Sequence, residues 1–400
     1  MTLKENYDVI VAGGGPAGSL AAYAAAKEGV HVLLLEKDRE IGSPVRCAEA
    51  VGKDGLEYIL DQPVNPQWIA ATIKRFKFVA PDGSVVHPQV PMTGYVLHRK
   101  LFDVDLAAMA AAAGAQVVTG TPVSGLLKNN GRISGVICRQ AGRVREIRAP
   151  MVIGADGVES RVGRWAGIDT TTAMRDMETC SQVTISDVNI ETDTCIFYFS
   201  QEKFPGGYAW VFPKGNGQAN VGLGIAGDRA RRGSANARLK TFLESNFPDA
   251  SILGRTVGGV PCANRLPAIS APGFLLAGDA ALQANPVSGG GIATGMTAGK
   301  LAGRIAALAV KKGDMSVHFL GAYEKEWDKV CGQAQKRYYR LKEGISRLSD
   351  EQLNGTAHAL QKVPAEKQSL VKIFQVALAK QPSLLIDILK TLSAFSMSNP

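Results

Sequence analysis

The sequence predicts a mixed α/β and α+β fold. We expect a Rossmann-like dinucleotide-binding domain, an inserted antiparallel β-sheet domain and a C-terminal helical region. Three observations lead to this prediction. A glycine-rich strand–turn–helix–strand unit opens the chain, β-rich segments follow one another over residues 176–225, and helical patterns fill residues 315–396. A chain of 400 residues is long enough for two or three domains with a large core.

The opening unit carries a dinucleotide-binding motif. An apolar strand from Val9 to Ala12 runs into the turn GGGPAG, and after a helix a second strand ends at Glu36. The first glycine of the motif permits the tight turn, the second lets the backbone approach a pyrophosphate, and the third lets the helix pack on the strand. The N-terminus of the helix favours phosphate through its free N–H groups and its dipole. The cofactor-binding residues predicted here are Gly13, Gly15, Pro16, Ala17, Gly18, Glu36 and Lys37.

The acid at the end of the second strand narrows the choice of dinucleotide. Glu36 follows Gly13 by 23 residues, where a carboxylate accepts hydrogen bonds from a ribose. A carboxylate there disfavours a 2′-phosphate, so NADP is not expected at this site. The motif alone leaves FAD and NAD open.

The following elements are assigned in chain order. Residues 76–90 alternate around Pro81-Asp82-Gly83, which predicts a hairpin, and residues 95–113 predict the end of a strand followed by a helix. Residues 116–154 supply short strands, and the β-rich run at 176–225 predicts a separate antiparallel sheet. A helix is expected at 235–247, a buried parallel-type strand at 273–279 and a long helix at 290–311.

These elements predict a discontinuous dinucleotide domain. We expect it to comprise residues 1–75, 95–175 and 265–330. The β-sheet domain, expected to hold substrate, comprises residues 76–94 and 176–264, and residues 331–400 form the helical region.

Composition excludes several classes of protein. The six cysteines are scattered without a CxxC pair, which argues against zinc, an iron–sulfur cluster or a disulfide framework, and we expect no metal. No apolar stretch is long enough to span a membrane and no signal peptide precedes the first strand, so a cytoplasmic location is expected. The net charge of +9 favours phosphates, either of nucleic acid or of an anionic membrane, or it marks a solvated helical surface.

Three further motifs place polar groups at strand ends. Arg99 lies at a strand–helix junction where its guanidinium could meet a phosphate, and Asp156 lies in the turn GADG after a strand. Asp279, in the segment LLAGDAA, stands at the carboxyl end of a strand, where α/β folds bind ligands. Taken singly, Arg99 could be a surface cation and Asp279 a helix N-cap. The segment PVSGGGI (286–292) opens the long helix, and its N–H groups could stabilise negative charge on a reduced isoalloxazine ring.

Together these four motifs resemble the cofactor-binding set of p-hydroxybenzoate-hydroxylase-like flavoproteins, over residues 1–330 and in the same order. In that superfamily the GD and GADG motifs belong to FAD, so the resemblance implies FAD rather than NAD. The cofactor-binding residues that it implies beyond the first unit are Arg99, Asp156, Gly278, Asp279, Pro286, Gly289, Gly290, Gly291 and Ile292.

Two more stretches resemble the geranylgeranyl reductase family. They are IGSPVRCAE (41–49) and GYAWVFPK (207–214), the latter followed by ANVGLG (219–224). Members of this family hydrogenate isolated C=C bonds in isoprenoid chains, including those of archaeal glycerophospholipids and of menaquinone. We expect Arg46, Cys47 and Ala48 in this stretch to bind the cofactor as well, and Arg46 could neutralise either flavin phosphates or a substrate headgroup. Alanine at position 48 departs from the glycine common in the family, a minor change because alanine also fits a close backbone approach.

Four side chains are the candidates for substrate chemistry. Tyr208, Trp210 and Phe212 alternate along one strand and therefore share a face, which suits an apolar floor over a flavin. They could equally form the core of the sheet. Cys47 is predicted to assist protonation or to position substrate, and the alternative is an inert buried thiol. We predict Cys47, Tyr208 and Trp210 as catalytic and the three aromatic residues as substrate-binding.

The last residues fit a lipid substrate. Apolar side chains repeat at helical spacing before and after Pro382, with lysines between them, and such helices lie in a membrane interface or pack on the protein's own core. The apolar positions are Leu370, Ile373, Phe374, Ala377, Leu378, Leu384, Leu385, Ile388, Leu389, Leu392 and Phe395, and the lysines are Lys367, Lys372, Lys380 and Lys390. A peripheral position on the inner face of the membrane is therefore possible.

The predicted function is an FAD-dependent reductase that saturates C=C bonds of isoprenoid chains, with hydride supplied by reduced flavin N5. The alternatives are a monooxygenase or halogenase of the same fold, a menaquinone-tail reductase, a nucleic-acid-binding flavoprotein and an electron carrier. Because no second glycine motif is present, the electron donor binds transiently and is NAD(P)H, a ferredoxin or a quinol. Without a basic stripe that carries interleaved aromatic residues, we expect no nucleic-acid partner.

Overall fold

The computed structural model describes residues 3–60, 62–90 and 92–379. The described strands are β1 (Val9–Ala12), β2 (Val32–Leu35), β3 (Ala50–Gly52), β4 (Ile69–Ile73), β5 (Arg75–Val79), β6 (Val85–Val86), β7 (Gly94–Leu97), β8 (Gln116–Val118), β9 (Val123–Asn129), β10 (Arg132–Gln140), β11 (Arg143–Arg148), β12 (Met151–Gly154), β13 (Met177–Ser186), β14 (Thr194–Tyr198), β15 (Ala209–Gly215), β16 (Gln218–Ala226), β17 (Ser251–Pro261), β18 (Ser270–Ala271) and β19 (Phe274–Leu276). The described α-helices are α1 (Pro16–Lys27), α2 (Lys53–Leu60), α3 (Arg99–Ala112), α4 (Arg161–Trp165), α5 (Ala235–Asn246), α6 (Ile292–Lys312), α7 (Val317–Trp327), α8 (Gln333–Ile345), α9 (Asp350–Gln361) and α10 (Leu370–Ala377).

A six-stranded sheet forms the centre of the dinucleotide domain. Its strand order is β18-β19-β12-β1-β2-β8, and β1 pairs in parallel with both β2 and β12. Every residue of β1, β2 and β12 is buried, as expected for a parallel sheet covered on both faces. Helices α1 and α6 lie against each other over this sheet, in contact along Gly299 and Gly303. The predicted Rossmann-like architecture is confirmed.

The second large sheet has seven strands in the order β17-β13-β16-β15-β14-β5-β6. Its strands pair antiparallel, except that β5 lies parallel to β14. The predicted sheet was wholly antiparallel, and the parallel pair arises because β5 reaches this sheet from the early part of the chain. Helix α5 packs on one face through Leu239 and Phe242, against apolar residues of β13 and β16 such as Val183 and Val221. The opposite face of the sheet is not covered by α5.

Strand β17 has no counterpart in the sequence prediction. It lies at the edge of the seven-stranded sheet and pairs only with β13 among the described strands. Its first residues are exposed, and glycines interrupt it at positions 254, 258 and 259. Its apolar residues therefore show neither the alternation nor the continuous apolar run by which a strand is recognised.

Two smaller sheets complete the architecture. The strands of one follow the order β3-β7-β4 and those of the other β11-β10-β9. The first lies against the seven-stranded sheet, where Ile73 and Val96 join a buried cluster with Trp210 and Phe212. This cluster marks the contact between the early part of the chain and the β domain. The predicted domain boundaries themselves stay a prediction.

The C-terminal helices pack on the rest of the chain as far as they are described. Ile373 of α10 is buried with Val86 and Leu360, and Leu378 is buried with Leu341 and Leu348. The second predicted amphipathic stretch, Leu384 to Phe395, and Lys380 and Lys390 lie outside the described residues. Among the helices that are described, none combines the length and the apolar character needed to cross a bilayer.

Candidate active site

The glycine turn has the shape that its motif predicts. Gly13 has φ 111°, and a Cβ there would lie 2.2 Å from the Ala155 carbonyl oxygen. A Cβ on Gly18 would lie 1.8 Å from the Gly13 carbonyl oxygen, so only glycine lets α1 begin so close to β1. By contrast, no atom lies within 4 Å of a Cβ placed on Gly15. The backbone at Gly15 therefore faces open space, as an approaching pyrophosphate would require.

Glu36 closes the turn from the second strand. Its Oε2 accepts the Gly14 N–H at 2.6 Å, and its Oε1 accepts the Asp38 N–H at 2.8 Å. Both bonds hold the carboxylate at the carboxyl ends of β1 and β2, where the ribose of a dinucleotide is expected. The neighbouring Lys37 points towards Glu159, with 3.7 Å between Nζ and Oε1, so its exposed ammonium already has an acidic neighbour.

Two carboxylates at the ends of adjacent strands have oxygen atoms that accept no hydrogen bond from another described residue. Asp156 Oδ2 accepts the Val162 N–H at 3.0 Å, whereas its buried Oδ1 has no partner. Asp279 follows β19 and makes no side-chain hydrogen bond to another described residue, which excludes the helix-cap alternative for it. Burial raises the pKa of both carboxyl groups. In Asp279 the charge of Arg99 opposes this effect. An unsatisfied buried acceptor such as Asp156 Oδ1 indicates a ligand that donates hydrogen bonds.

Arg99 is buried rather than a surface cation. Its Nε and Nη2 each lie 2.8 Å from one carboxylate oxygen of Asp103, one turn along α3. This bidentate pair neutralises the guanidinium within the protein. A direct role of Arg99 at a phosphate therefore stays a prediction, although its charge acts to lower the pKa of the nearby Cys47 and Asp279.

The loop before α6 presents backbone groups. Asn285 Oδ1 accepts the N–H groups of Val287 and Ser288, and the Asn285 carbonyl accepts the Gly289 N–H. Gly291 forms the N-cap of α6 without a side-chain cap, so N–H groups at the start of the helix remain available. The remaining predicted residues of this region, Pro286, Gly290 and Ile292, lie in the same turn and first helical position, and Gly278 precedes Asp279.

These features fit a flavin dinucleotide. The open backbone at Gly15 and the uncapped start of α6 suit phosphates and a reduced ring. The carboxylates of Glu36, Asp156 and Asp279 stand at strand ends, where α/β folds bind ligands, and Asp156 Oδ1 lacks a partner. A dinucleotide with a polyhydroxylated chain supplies the donors that the carboxylates lack. The assignment of individual cofactor contacts stays a prediction.

The segment around Cys47 joins the dinucleotide domain to the β domain. The Cys47 carbonyl accepts Nε2 of Gln182 at 3.0 Å, and its sulfur accepts the Glu49 N–H at 3.2 Å. Burial raises the pKa of the Cys47 thiol, although the Arg99 charge works in the opposite direction. The thiol is therefore protonated at neutral pH. Ala48 packs in the cluster with Trp210 and Phe212, whereas the side chain of Arg46 is exposed beside Gly258 of β17.

The three predicted aromatic residues share one face of the seven-stranded sheet. The ring centroids of Tyr208 and Trp210 lie 5.9 Å apart, and those of Trp210 and Phe212 lie 6.4 Å apart. Phe197 from β14 contacts both ends of this row, at 5.5 Å from Tyr208 and 5.3 Å from Phe212. Gly222 leaves the room for the Trp210 indole, since a Cβ on Gly222 would lie 2.5 Å from that ring. We call Phe197, Tyr208, Trp210 and Phe212 the aromatic row.

Polar side chains fix the aromatic row to both domains. Trp210 Nε1 donates to Gln182 Oε1 at 3.0 Å, and Tyr208 Oη donates to the Ser288 carbonyl at 2.5 Å. The row is thereby tied to the Cys47 segment at one point and to the loop before α6 at another. The rings pack in the core of the sheet and also reach the predicted cofactor site. They can therefore serve both as core residues and as an apolar floor over a flavin.

Sequence reasoning missed several residues of this site. Glu49 is buried, with its carboxylate held by Lys214 Nζ, by Asn220 Nδ2 and by the Arg99 N–H. Gln182 and Phe197 were also not singled out. Glu49, Lys214 and Asn220 all fall within the stretches that resemble the reductase family, and this was the available signal. Over the described residues, no group of three His, Cys, Asp or Glu side chains is placed to hold a metal ion.

Known proteins resemble the chain in both sequence and structure. A family model of the geranylgeranyl reductase catalytic domain matches residues 176–260, and one of an NAD(P)-binding Rossmann-like domain matches residues 11–74. The digeranylgeranylglycerophospholipid reductase of Methanocella arvoryzae is 43% identical over 390 residues, which cover 96% of this chain and 99% of that protein.

Two solved structures extend the comparison. A geranylgeranyl bacteriochlorophyll reductase-like protein of Thermoplasma acidophilum has a TM-score of 0.89 and 34% identity, covering 97% of this chain and 99% of its own. A myxobacterial chondrochloren halogenase, described as FAD-dependent, has a TM-score of 0.69 and 17% identity, covering 96% of this chain and 98% of its own. The halogenase likeness shows a common fold alone.

Proposed function

This chain belongs to the geranylgeranyl reductase family, and we propose that it saturates C=C bonds in the geranylgeranyl chains of an isoprenoid glycerophospholipid. The family membership confirms the predictions of an oxidoreductase and of FAD as its cofactor. Its relatives named digeranylgeranylglycerophospholipid reductase match over nearly the whole length of the chain, which supports a double-chained lipid as the substrate.

One observation carries the proposal. The aromatic row lies on the sheet face opposite α5 and is joined by the Tyr208–Ser288 hydrogen bond to the loop that opens α6. An isoprenoid chain offers no polar group along its length, so apolar surface and shape have to hold it. A row of rings beside a cofactor-binding loop meets that need.

FAD supplies a hydride to carbon when it is bound and reduced. The residues that would hold it are those of the glycine turn, Glu36, Asp156, Asp279 and the start of α6. The N–H groups at the start of α6, from Gly291 onwards, would stabilise negative charge on the reduced ring.

The chain's own residues hold the alkene and keep water out. Gln182 fixes the Trp210 indole and the Cys47 backbone in one hydrogen-bonded unit. Gln182 connects Cys47, whose thiol is neutral, to the aromatic row that contains Tyr208, and we propose that Cys47 and Tyr208 position the substrate. Phe212 and Ala48 close the apolar side of the cluster. Since a dry site removes competing reactions with water, this packing is part of the reaction.

We extend the proposal to the partners of the enzyme. A transient donor, namely NAD(P)H, a ferredoxin or a quinol, reduces the bound cofactor. A membrane surface presents the lipid to the enzyme, consistent with the basic excess of the sequence, which attracts anionic lipid, and with a cytoplasmic or inner-face location. A monooxygenase or halogenase function is less favoured, because the halogenases are related in fold alone.

An anaerobic single-turnover experiment tests the function. The purified protein is reduced with dithionite and mixed with geranylgeranyl lipids, geranylgeranyl diphosphate or menaquinone, while flavin absorbance and product mass are followed. We expect the glycerophospholipid to reoxidise the flavin and to gain about two mass units for each saturated bond. If the flavin stays reduced until oxygen is admitted and no saturated product forms, the reductase function would be excluded and a monooxygenase function favoured.

A matched pair of variants connects this assay to the aromatic row. Tyr208→Phe removes the bond to the Ser288 carbonyl, and we expect the alkene-dependent rate to fall by about 10-fold. Tyr198→Phe is the control, because Tyr198 packs against Phe242 on the opposite face of the sheet. Equal rates in the two variants would mean that this face does not hold the substrate.

A further inference from the structure

A buried acid lies on the face of the seven-stranded sheet that carries the aromatic row. Glu178 lies near the start of β13 and is 7% exposed. Its Oε2 has no hydrogen-bond partner. A buried carboxyl without a partner is costly if it is charged, and it persists in a fold where it serves a purpose.

Strand pairing places Glu178 beside the cofactor loop. It lies opposite Val260 of β17, and a Cβ on Gly289 would lie 3.5 Å from Val260 Cγ1. Glu178 also lies close to the start of the aromatic row, because a Cβ on Gly207 would lie 3.2 Å from Glu178 Oε2. The carboxyl therefore lies between the Gly289 loop and the residue that precedes Tyr208.

The same face of β13 carries the residues that hold the aromatic row. Side chains two and four positions further along a strand point to the same face, which places Cys180 and Gln182 in line with Glu178. Gln182 holds both Trp210 and Cys47. A Cβ on Gly224 would lie 3.1 Å from the Cys180 sulfur, so the sheet surface between Glu178 and Gln182 is closely packed.

Burial brings the pKa of the Glu178 carboxyl close to neutral pH. It raises the pKa of the Glu178 carboxyl to about 7, against the opposing charges of Lys342 and Arg229. The titratable and charged groups that face it are Asp176, Cys180, Tyr208, Asp228, Arg229, Cys262 and Lys342. A general acid works best when its pKa lies near the working pH.

A charged cluster at the start of the same strand can return the proton from solvent. Asp176, two residues before Glu178, accepts hydrogen bonds from Tyr339 Oη at 3.1 Å and from Lys342 Nζ at 3.2 Å. Lys342 Nζ also donates to the Cys262 carbonyl at 2.8 Å, at the end of β17. Exchangeable protons of Tyr339 and Lys342 thus lie near the start of β13, close enough for the Lys342 charge to act on Glu178.

We propose that Glu178 supplies the proton that completes saturation of the C=C bond, an inference that rests on the proposed function. The carboxyl O–H bond breaks and a C–H bond forms at one alkene carbon, while a hydride from the reduced cofactor forms the second C–H bond at the other carbon. The alkene gains two electrons and the cofactor loses two. Glu178 is left as a carboxylate and recovers a proton from solvent before the next bond is reduced.

The test compares Glu178→Gln with the wild-type holoenzyme. The amide is isosteric but carries no acidic proton, so we expect the alkene-dependent reoxidation of flavin to slow by about 10²-fold or more. The wild-type rate should fall as pH rises through about 7, where the acid loses its proton, whereas the residual rate of the variant should not change there. Glu178→Asp keeps an acid and should recover part of the rate.

Two measurements do not depend on turnover. Because folding raises the carboxyl pKa from 4.5 to about 7, wild-type stability is lost relative to the amide variant as pH rises between these two values. The thermal midpoint of Glu178→Gln should therefore exceed that of the wild type increasingly between about pH 4.5 and about pH 7, and by a constant amount above about pH 8. Infrared difference spectra should show a protonated carboxyl band that the variant lacks. Asp187→Asn, an exposed acid just after β13, is the control for both measurements.

The outcomes are distinguishable. Wild-type rates with an unchanged pH profile in Glu178→Gln would overturn the role of Glu178 and leave the reductase function intact. Loss of bound flavin in Glu178→Gln would make Glu178 a structural part of the cofactor site and would also overturn the proposal. A wild-type enzyme that is not reoxidised by any lipid would overturn both, even where the infrared and thermal data show that the carboxyl titrates.

Discussion

The six-stranded and seven-stranded sheets contribute different kinds of chemical group to the site, backbone groups in one case and side chains in the other. At the six-stranded sheet, glycines and free backbone groups dominate: Gly13, Gly18 and Gly299 allow close approaches that a Cβ would prevent. At the seven-stranded sheet, side chains dominate, and Gln182, Trp210 and Tyr208 are held by hydrogen bonds to residues far away in the sequence.

This difference separates two physical problems. A dinucleotide with charged phosphates is bound by N–H groups at helix starts, so the chain has to bring backbone close to the ligand. An isoprenoid chain has no charge to bind and is held by surface, so the protein has to fix the positions of large rings. Substitutions that add atoms should therefore disturb the six-stranded sheet most. Substitutions that remove a single hydrogen bond should disturb the site at the seven-stranded sheet most.

The largest effect is expected where the two regions are joined. Lys214→Met leaves the buried Glu49 carboxylate without its ammonium partner. Because an unpaired buried charge is costly, we expect the free energy of unfolding to fall by ~3 kcal/mol or more. Chemical denaturation followed by fluorescence measures the change.

The control for this variant is Lys240→Met. Lys240 forms an exposed i,i+4 pair with Glu244, for which we expect a change below ~0.5 kcal/mol. Adding Glu49→Gln to Lys214→Met should recover part of the loss. If Lys214→Met lowers the free energy of unfolding no more than the control does, the bonds of Glu49 to Lys214 and Asn220 do not join the two regions.

The next effect tests the backbone-dominated region. Gly299→Ala places a Cβ 2.0 Å from the Ala17 carbonyl oxygen, at the contact of α1 with α6. Since the two helices have to move apart, we expect a loss of ~2 kcal/mol in the free energy of unfolding together with weaker FAD binding. Flavin fluorescence on titration of the apoprotein measures the binding.

Gly321→Ala gives the matched control in a neighbouring helix. No atom lies within 4 Å of a Cβ on Gly321, so the same chemical change should stabilise α7 slightly, by about 0.5 kcal/mol. Similar behaviour of the two alanine variants would show that close helix packing does not set the cofactor site.

A smaller effect is expected for one polar bridge in the side-chain-dominated region. Gln182→Leu removes the partners of the Trp210 N–H and the Cys47 carbonyl, and we expect a loss of ~1–2 kcal/mol in stability. The alkene-dependent rate should fall while FAD binding stays unchanged, because Gln182 holds the aromatic row and not the glycine turn. Weaker FAD binding with a normal rate would contradict this division of tasks.

The same division explains what the sequence could predict. The glycine turn and Glu36 follow from local spacing, and the pairing of Tyr208, Trp210 and Phe212 follows from strand alternation. The contact between Gln182 and Cys47 could not be predicted, because 135 positions separate the two residues and only the assembled sheets bring them together. Strand β17 was missed because glycines and exposure remove its apolar pattern. The Arg99–Asp103 pair, by contrast, has the i,i+4 spacing of helical ion pairs, so the sequence held a signal for it.

The smallest effect concerns the Cys47 thiol, where the two regions meet. Burial raises its pKa and the Arg99 charge opposes that effect, so the thiol stays protonated at neutral pH. Since only the thiolate reacts, we expect iodoacetamide to alkylate native Cys47 slowly, at a rate that still rises with pH at about pH 9. Mass spectrometry of the Cys47 peptide measures the rate, with Cys47→Ser to identify the peptide. A rate that levels off near neutral pH would instead mean that the Arg99 charge lowers the thiol pKa by more than burial raises it.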